Sequence, residues 1–166
     1  MAAPISLRLL PDPDQHDLLV ATLERVNKAS NLARTRALEE RVSARGSLRT
    51  VVKEELDRFK LPITFSTAAT DRVLASLNKQ KFGTYQSLVL PASAVKWPAS
   101  DRVTLPTASG KRTVKVYLDP SRGSLRPPLE GKPTALVYRN GDFEIMDGTE
   151  ALAAGAAGPV LPWQRD

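Results

Sequence analysis

The chain has 166 residues, 42% of them hydrophobic and 25% charged, with 24 lysines and arginines against 18 carboxylates. That length suits one ordinary domain or two very small ones, and the balance of +6, with an isoelectric point near 9.8, points to a polyanionic partner such as nucleic acid. The lack of cysteine and the single histidine, His16, exclude disulfides, cysteine-based zinc sites, thiol nucleophiles and histidine-rich metal sites, and leave one possible base for a Ser-His-Asp arrangement.

"ISLRLL" (Ile5 to Leu10) alternates apolar and polar residues and predicts a short strand. "PDPDQ" then starts a helix: Asp12 suits the cap, Pro13 the first helical position and Gln15 the capping-box partner. Leu19, Leu23, Val26, Ala29, Ala33 and Ala37 follow helical spacing, with Arg25, Lys28, Arg34, Arg36 and Arg41 on the other side and an end expected near Gly46. A second helix after Ser47 turns Leu48, Val51, Val52, Leu56 and Phe59 inward. "KLP" breaks it, because residues before proline avoid helical angles. A third helix runs from Pro62 to about Gln80, with Phe65, Ala69, Val73 and Leu77 inside.

"KFGTYQSLVLPAS" reads as a connector broken by Gly83 and Pro91. From Ala94 the period becomes two. "RVTLP" and "RTVKVYL" are strands joined by a turn containing Gly110, and "TALVYR-NG-DFEIM" is a hairpin on the type I′ pair Asn140-Gly141. "SRGSLRPPLEGKP" is a loop, and the Ala/Gly/Pro-rich end carries no periodicity and is expected to be disordered. The expected fold is α+β: a small β-barrel, wedge or OB-like, with an inserted unit of about three helices. The segments are residues 1–11 as first barrel strand, 12–82 as helical insertion, 83–149 as about five further strands and 150–166 as tail. No apolar run approaches the roughly 20 residues of a membrane span. The start "MAAPISLRLLPDPDQ" lacks the pattern of a signal peptide, so a cytoplasmic location is expected.

Several residues bear on function. Asn27 and Asn31, four apart on one helical face, are either exposed polar positions or contacts to RNA or DNA. Arg34, Arg36, Arg41, Arg45 and Arg49 are partly balanced by nearby glutamates and are candidates for phosphate contact. Trp97 either stacks on a base or packs at a sheet edge; Lys111 and Arg112 sit at a hairpin tip, free to reach phosphate or simply solvated. Glu39-Glu40 and Glu54-Glu55 point in different directions within each pair and read as solvated. His16 reads as exposed and not catalytic.

Three stretches in order carry a family resemblance: the first strand with "LLPDPDQHDLLVATLERVNKASN"; "EELDRFKLP" leading to "DRVLASL"; and "VKWPASDRVTLPTASGKRTVKV" followed by "LEGKPTALVYRNGDFEI". Over most of residues 5 to 145 the chain resembles the N-terminal part of the TnpB (OrfB) family, transposon-encoded RNA-guided nucleases related to type V CRISPR effectors. The resemblance implies a wedge-type barrel with a helical recognition insertion that binds a guide RNA (omega-type or CRISPR-type), the guide–target duplex and a short DNA motif. Asn27, Lys28, Asn31, Arg34, Thr64, Thr67, Arg72, Lys79, Lys81, Lys96, Trp97, Arg102, Lys111 and Arg112 become the expected nucleic-acid contacts. Two departures stand out. Many relatives carry a glutamine early in the third helix where this chain has "LPITFST", and the family's downstream RuvC carboxylates and paired-cysteine zinc ribbon have no counterpart.

The expectation is therefore a truncated, non-catalytic binding module without a cofactor. It is a transposon remnant, a stand-alone RNA-guided DNA binder, or half of a split nuclease completed by a separate RuvC-containing chain. The alternative from another class is a protein–protein interaction module whose basic charge is incidental.

Overall fold

A computed structural model gives the fold and describes residues 6–41, 48–75, 77, 81–117 and 129–149. In chain order the elements are β1 (Ser6–Leu10), α1 (Pro13–Arg41), α2 (Leu48–Asp57), α3 (Ile63–Ala75), β2 (Leu88–Leu90), β3 (Lys96–Ala99), β4 (Arg102–Thr107), β5 (Gly110–Val116), β6 (Thr134–Arg139) and β7 (Asp142–Asp147). All strand pairs are antiparallel, in the order β2-β6-β7-β1-β5-β4-β3. The class is α+β, three helices among the described residues with a seven-stranded sheet curled into a half-barrel.

The curl is dictated by one short connection. β2 and β3 form opposite edges of the sheet, which laid flat would be about 29 Å apart at the usual strand spacing. Only residues 91–95 link them, a stretch holding a 3-10 turn at Ala92–Ala94. A chain of that length spans at most about 22 Å fully extended. The sheet must bend to bring its edges toward each other.

The start of α1 follows from its capping chemistry. Gln15 N donates to Asp12 Oδ1 at 2.8 Å and Asp12 N to Gln15 Oε1 at 3.1 Å, the reciprocal box the sequence predicts. Leu19, Leu23, Val26, Ala29, Ala33 and Ala37 are all buried, as their spacing requires. They join Val52 and Leu56 of α2, Phe65, Ala69 and Val73 of α3, and the inward residues of the sheet in one core. Val51 and Phe59 are half-buried. α2 ends at the predicted break, where Lys60 adopts a left-handed φ of 51°. The expected helix end at Gly46 lies outside the described residues, as do Arg45, Gln80 and the tail 150–166.

The sheet holds the largest departure from the sequence reading. Six strands follow the helices, because the stretch read as a connector contains β2. Asn140 and Gly141 take φ of 53° and 84°, the type I′ geometry expected of Asn-Gly, and hold Arg139 opposite Asp142. On the outer side of β6 and β7, Ala135, Val137 and Met146 form a second small buried cluster with Val89 against it.

Leu23 is fully buried where helices and sheet meet, whereas Leu32 on the same helix is 45% exposed. Leu23→Ala is expected to cost about 3 kcal/mol. Leu32→Ala should cost less than about 0.5 kcal/mol. Urea titration followed by circular dichroism measures both, and equal losses would contradict this core.

Candidate nucleic-acid interface

Most polar side chains of α1 serve the protein itself. Asn27 is fully buried; its Nδ2 donates to Thr84 O and Gln86 O, both at 3.0 Å. Asn31 pairs with the backbone of Phe82 through both ends of its amide, donating from Nδ2 to Phe82 O and accepting from Phe82 N, each at 2.8 Å. The expected contact of Asn27 and Asn31 to RNA or DNA is therefore corrected. Asn27 is shut away from solvent, and Asn31 is held edge-on to the Phe82 backbone with one donor and one acceptor of its amide spent there, so neither presents a free amide edge for a bidentate base contact.

Arg72 corrects a second expectation. It is buried, with Nη2 donating to Asn27 Oδ1 and Ser30 Oγ at 2.8 Å each and Nη1 to Ser87 O at 3.3 Å. Its guanidinium carbon lies 4.1 Å from the centre of the Phe82 ring, a cation–π stack. Burial pushes its pKa down to about 9, which leaves it charged at neutral pH. It cannot reach a phosphate. Arg34 is half-buried and donates to Leu77 O at 3.4 Å, so it too is turned toward the protein.

Two further readings change. His16 is half-buried, with Nε2 2.9 Å from Gly141 O and its ring edge-on to Tyr138 and Phe143. The helix start is thereby docked on the β6–β7 turn. Glu55, read as solvated, is mostly buried and pairs with Arg36 at 3.1 Å and Arg58 at 3.5 Å.

The remaining expected contacts fall into separate places. Lys28 is exposed on α1 and Lys81 on the segment before β2. Thr64 is half-buried, and Thr67 is exposed in a groove of about 350 Å³ between α2 and α3, lined also by Arg49, Lys53 and Asp57. Trp97 packs half-buried against the core, so the stacking alternative gives way to the packing one. Lys79 lies outside the described residues. Arg112 is exposed at the β4–β5 rim and donates from Nη1 to Lys111 O at 2.9 Å.

One group does come together. Across β4 and β5, Arg102 faces Lys115, Thr104 faces Thr113 and Pro106 faces Lys111; across β3 and β4, Lys96 faces Thr104. Antiparallel partners share a face, and Val103, Leu105, Val114 and Val116 alternate with these residues into the core. The outer surface of β3, β4 and β5 thus carries Lys96, Arg102, Lys111 and Lys115, with no carboxylate among its outward residues. None of these four cations forms a salt bridge among the described residues. By contrast, Arg8 on the adjacent β1 and Arg139 on β6, farther along the sheet, are paired with Asp142 and Glu144. Between the cations the hydroxyls of Thr104 and Thr113 meet at 2.8 Å.

Lys115 was missed in the sequence, although the alternation of "TVKV" places it on the polar side of its strand. Two supports hold this sheet against α1: Gln15 Nε2 donates to Thr113 O at 2.8 Å, and Ala108 N to Thr22 Oγ1 at 3.0 Å. Among the described residues no cluster of three or more His, Asp or Glu could hold a metal ion, and no helix is long and apolar enough to cross a membrane. No protein-family profile, curated protein or solved structure matches this chain.

The inward role of Arg72 separates it from the outer cations by stability. Arg72→Ala should lower the unfolding free energy by about 3 kcal/mol, since it strands several buried acceptors at once. Lys28→Ala should cost less than about 0.5 kcal/mol. Urea midpoints give the comparison; a small loss for Arg72→Ala would show that its contacts hold nothing together.

Proposed function

We propose that the chain is a non-catalytic nucleic-acid-binding module that takes its ligand on the outer face of β3, β4 and β5. The observation that carries this reading is the grouping of Lys96, Arg102, Lys111 and Lys115 on one surface without an intervening carboxylate. Four cations on one sheet face, without a salt bridge among the described residues, suit a phosphate backbone, because each neutralised phosphate releases a condensed counterion. The resemblance to the TnpB N-terminal part supplies the partners: a guide RNA, its target DNA and, for a split enzyme, a separate RuvC-containing chain. On this reading the wedge-type barrel, not the helical unit, makes the main contact, and the protein works in the cytoplasm where transcripts and DNA meet.

The rival, a protein-binding module recruiting a strand at an open edge, is less well supported. β3 carries Lys96 and Pro98, both of which oppose strand addition, and β2 is only three residues long.

Two measurements test the proposal. RNA co-purifying with the tagged protein, expressed with its native flanking DNA, is sequenced; one enriched transcript is expected. Affinity for that RNA should fall steeply with salt, and the double variant Arg102→Glu/Lys115→Glu should lower the slope of log K against log[salt] by about 1.4 to 2. A flat salt response, or a slope untouched by the double variant, sinks this face as the binding surface.

A further inference from the structure

The cationic face has an aromatic end. Tyr117 follows β5, and its backbone N donates to Arg8 O at 2.9 Å, which pins it beside β1. The register sets Leu9 opposite Val116 and Leu10 opposite Lys115, so Tyr117 lies on the outer face with Lys115 and diagonally from Leu10. Tyr117 is 53% exposed and Leu10 37%. Tyr117 makes no ring contact and no side-chain hydrogen bond among the described residues. Tyr85, the other exposed tyrosine, is occupied: its hydroxyl donates to Glu24 at 2.9 Å and its ring meets Tyr138 edge-on.

A free aromatic ring in a field of cations calls for a ligand that offers both phosphates and an apolar flat surface. A duplex offers only the first, because its base faces are stacked on one another; a single strand offers both. Spacing agrees with a single strand. Outward residues of one strand recur about every 6.8 Å. An unstacked nucleic-acid chain advances by roughly twice the about 3.4 Å per nucleotide of a stacked one. Tyr117, Lys115, Thr113 and Lys111 therefore present one contact per nucleotide along β5.

We infer that Tyr117, with Leu10 beside it, is a base-stacking platform, and that the ligand of this face is a single strand whose backbone follows β5 over Lys115, Thr113 and Lys111. The inference rests on the nucleic-acid reading of the face. It adds that the strand is unpaired there and that one base is held by Tyr117. Stacking is tolerant of base identity, so this end of the face contributes affinity more than sequence choice.

The test is fluorescence anisotropy with a labelled mixed-sequence single-stranded RNA, the same sequence as single-stranded DNA, and the RNA annealed to its complement. The proteins are the unaltered chain, Tyr117→Ala, Tyr117→Phe and Arg102→Glu/Lys115→Glu. Tyr117→Ala should weaken both single strands about tenfold, with its urea midpoint and salt slope unchanged. Duplex binding should stay within about twofold, and Tyr117→Phe should retain single-strand affinity, since stacking needs the ring and not the hydroxyl. The tighter of the two single strands identifies the sugar. If Tyr117→Ala leaves single-strand binding intact while the charge-reversed variant loses it, the stacking platform is overturned and the cationic face stands. If neither variant changes binding, the face itself falls.

Discussion

A buried guanidinium ties the third helix to the first and both to the segment that leads into the sheet. Arg72 on α3 donates to Asn27 and Ser30 on α1 and to the backbone of Ser87, one residue before β2. Asn27 in turn grips Thr84 and Gln86, and Asn31 grips Phe82. The chain leaving the helices is thus fastened to α1 by side-chain amides acting as a substitute strand partner. Removing a charge from water is expensive and is offset only when its donors are satisfied. Here Nη1 and Nη2 reach three acceptors and the Phe82 ring lies against the group, which offsets part of that cost. That arrangement fixes where β2 begins, and β2 is one edge of the sheet.

The position of that edge governs the surface on the far side. Because residues 91–95 must bridge β2 and β3, the sheet curls, and its concave side receives the apolar side chains of α1. The convex side of β3, β4 and β5 is left to solvent. Strand alternation then sorts the residues without further instruction: Val103, Leu105, Val114 and Val116 go in, and Arg102, Lys111 and Lys115 go out. The same cations set on α1 are drawn into the fold, as Arg25 toward Phe59 O, Arg34 toward Leu77 O and Arg36 toward Glu54 and Glu55 show. A helix wrapped by two others and a sheet has little free surface, so its arginines find carbonyls and carboxylates before they find solvent.

This difference explains what could be read from the sequence. The apolar spacing Leu19 to Ala37, the Asp12–Gln15 box and the Asn140-Gly141 turn depend on neighbours in the chain, and all three appear as the residues dictate. β2 escaped because Leu88 and Leu90 face the core while Val89 meets the second cluster, so "LVL" shows no alternation. The asparagines escaped for a different reason. An amide four residues from another on a helix looks the same whether it meets a base or a backbone more than fifty residues away. Only the return of the chain at Phe82 to Gln86 decides between them.

Net charge alone therefore gives a poor map of a binding surface. Of the basic residues expected to contact nucleic acid, Arg72 and Arg34 are used inside, while Lys96, Arg102 and Lys111 share one face with Lys115, which alternation alone could have added. The excess charge matters where geometry prevents neutralisation. On β7 the outward residues Asp142 and Glu144 lie within reach of Arg8 and Arg139, and those cations are spent on them. On β3, β4 and β5 the cations face threonine, proline, alanine or, in the case of Arg102 and Lys115, each other, and none of these offers a counter-charge. A surface that carries several like charges side by side bears a standing repulsion, and a polyanion relieves it. The lack of a carboxylate opposite those cations, more than the cations themselves, is what marks this face.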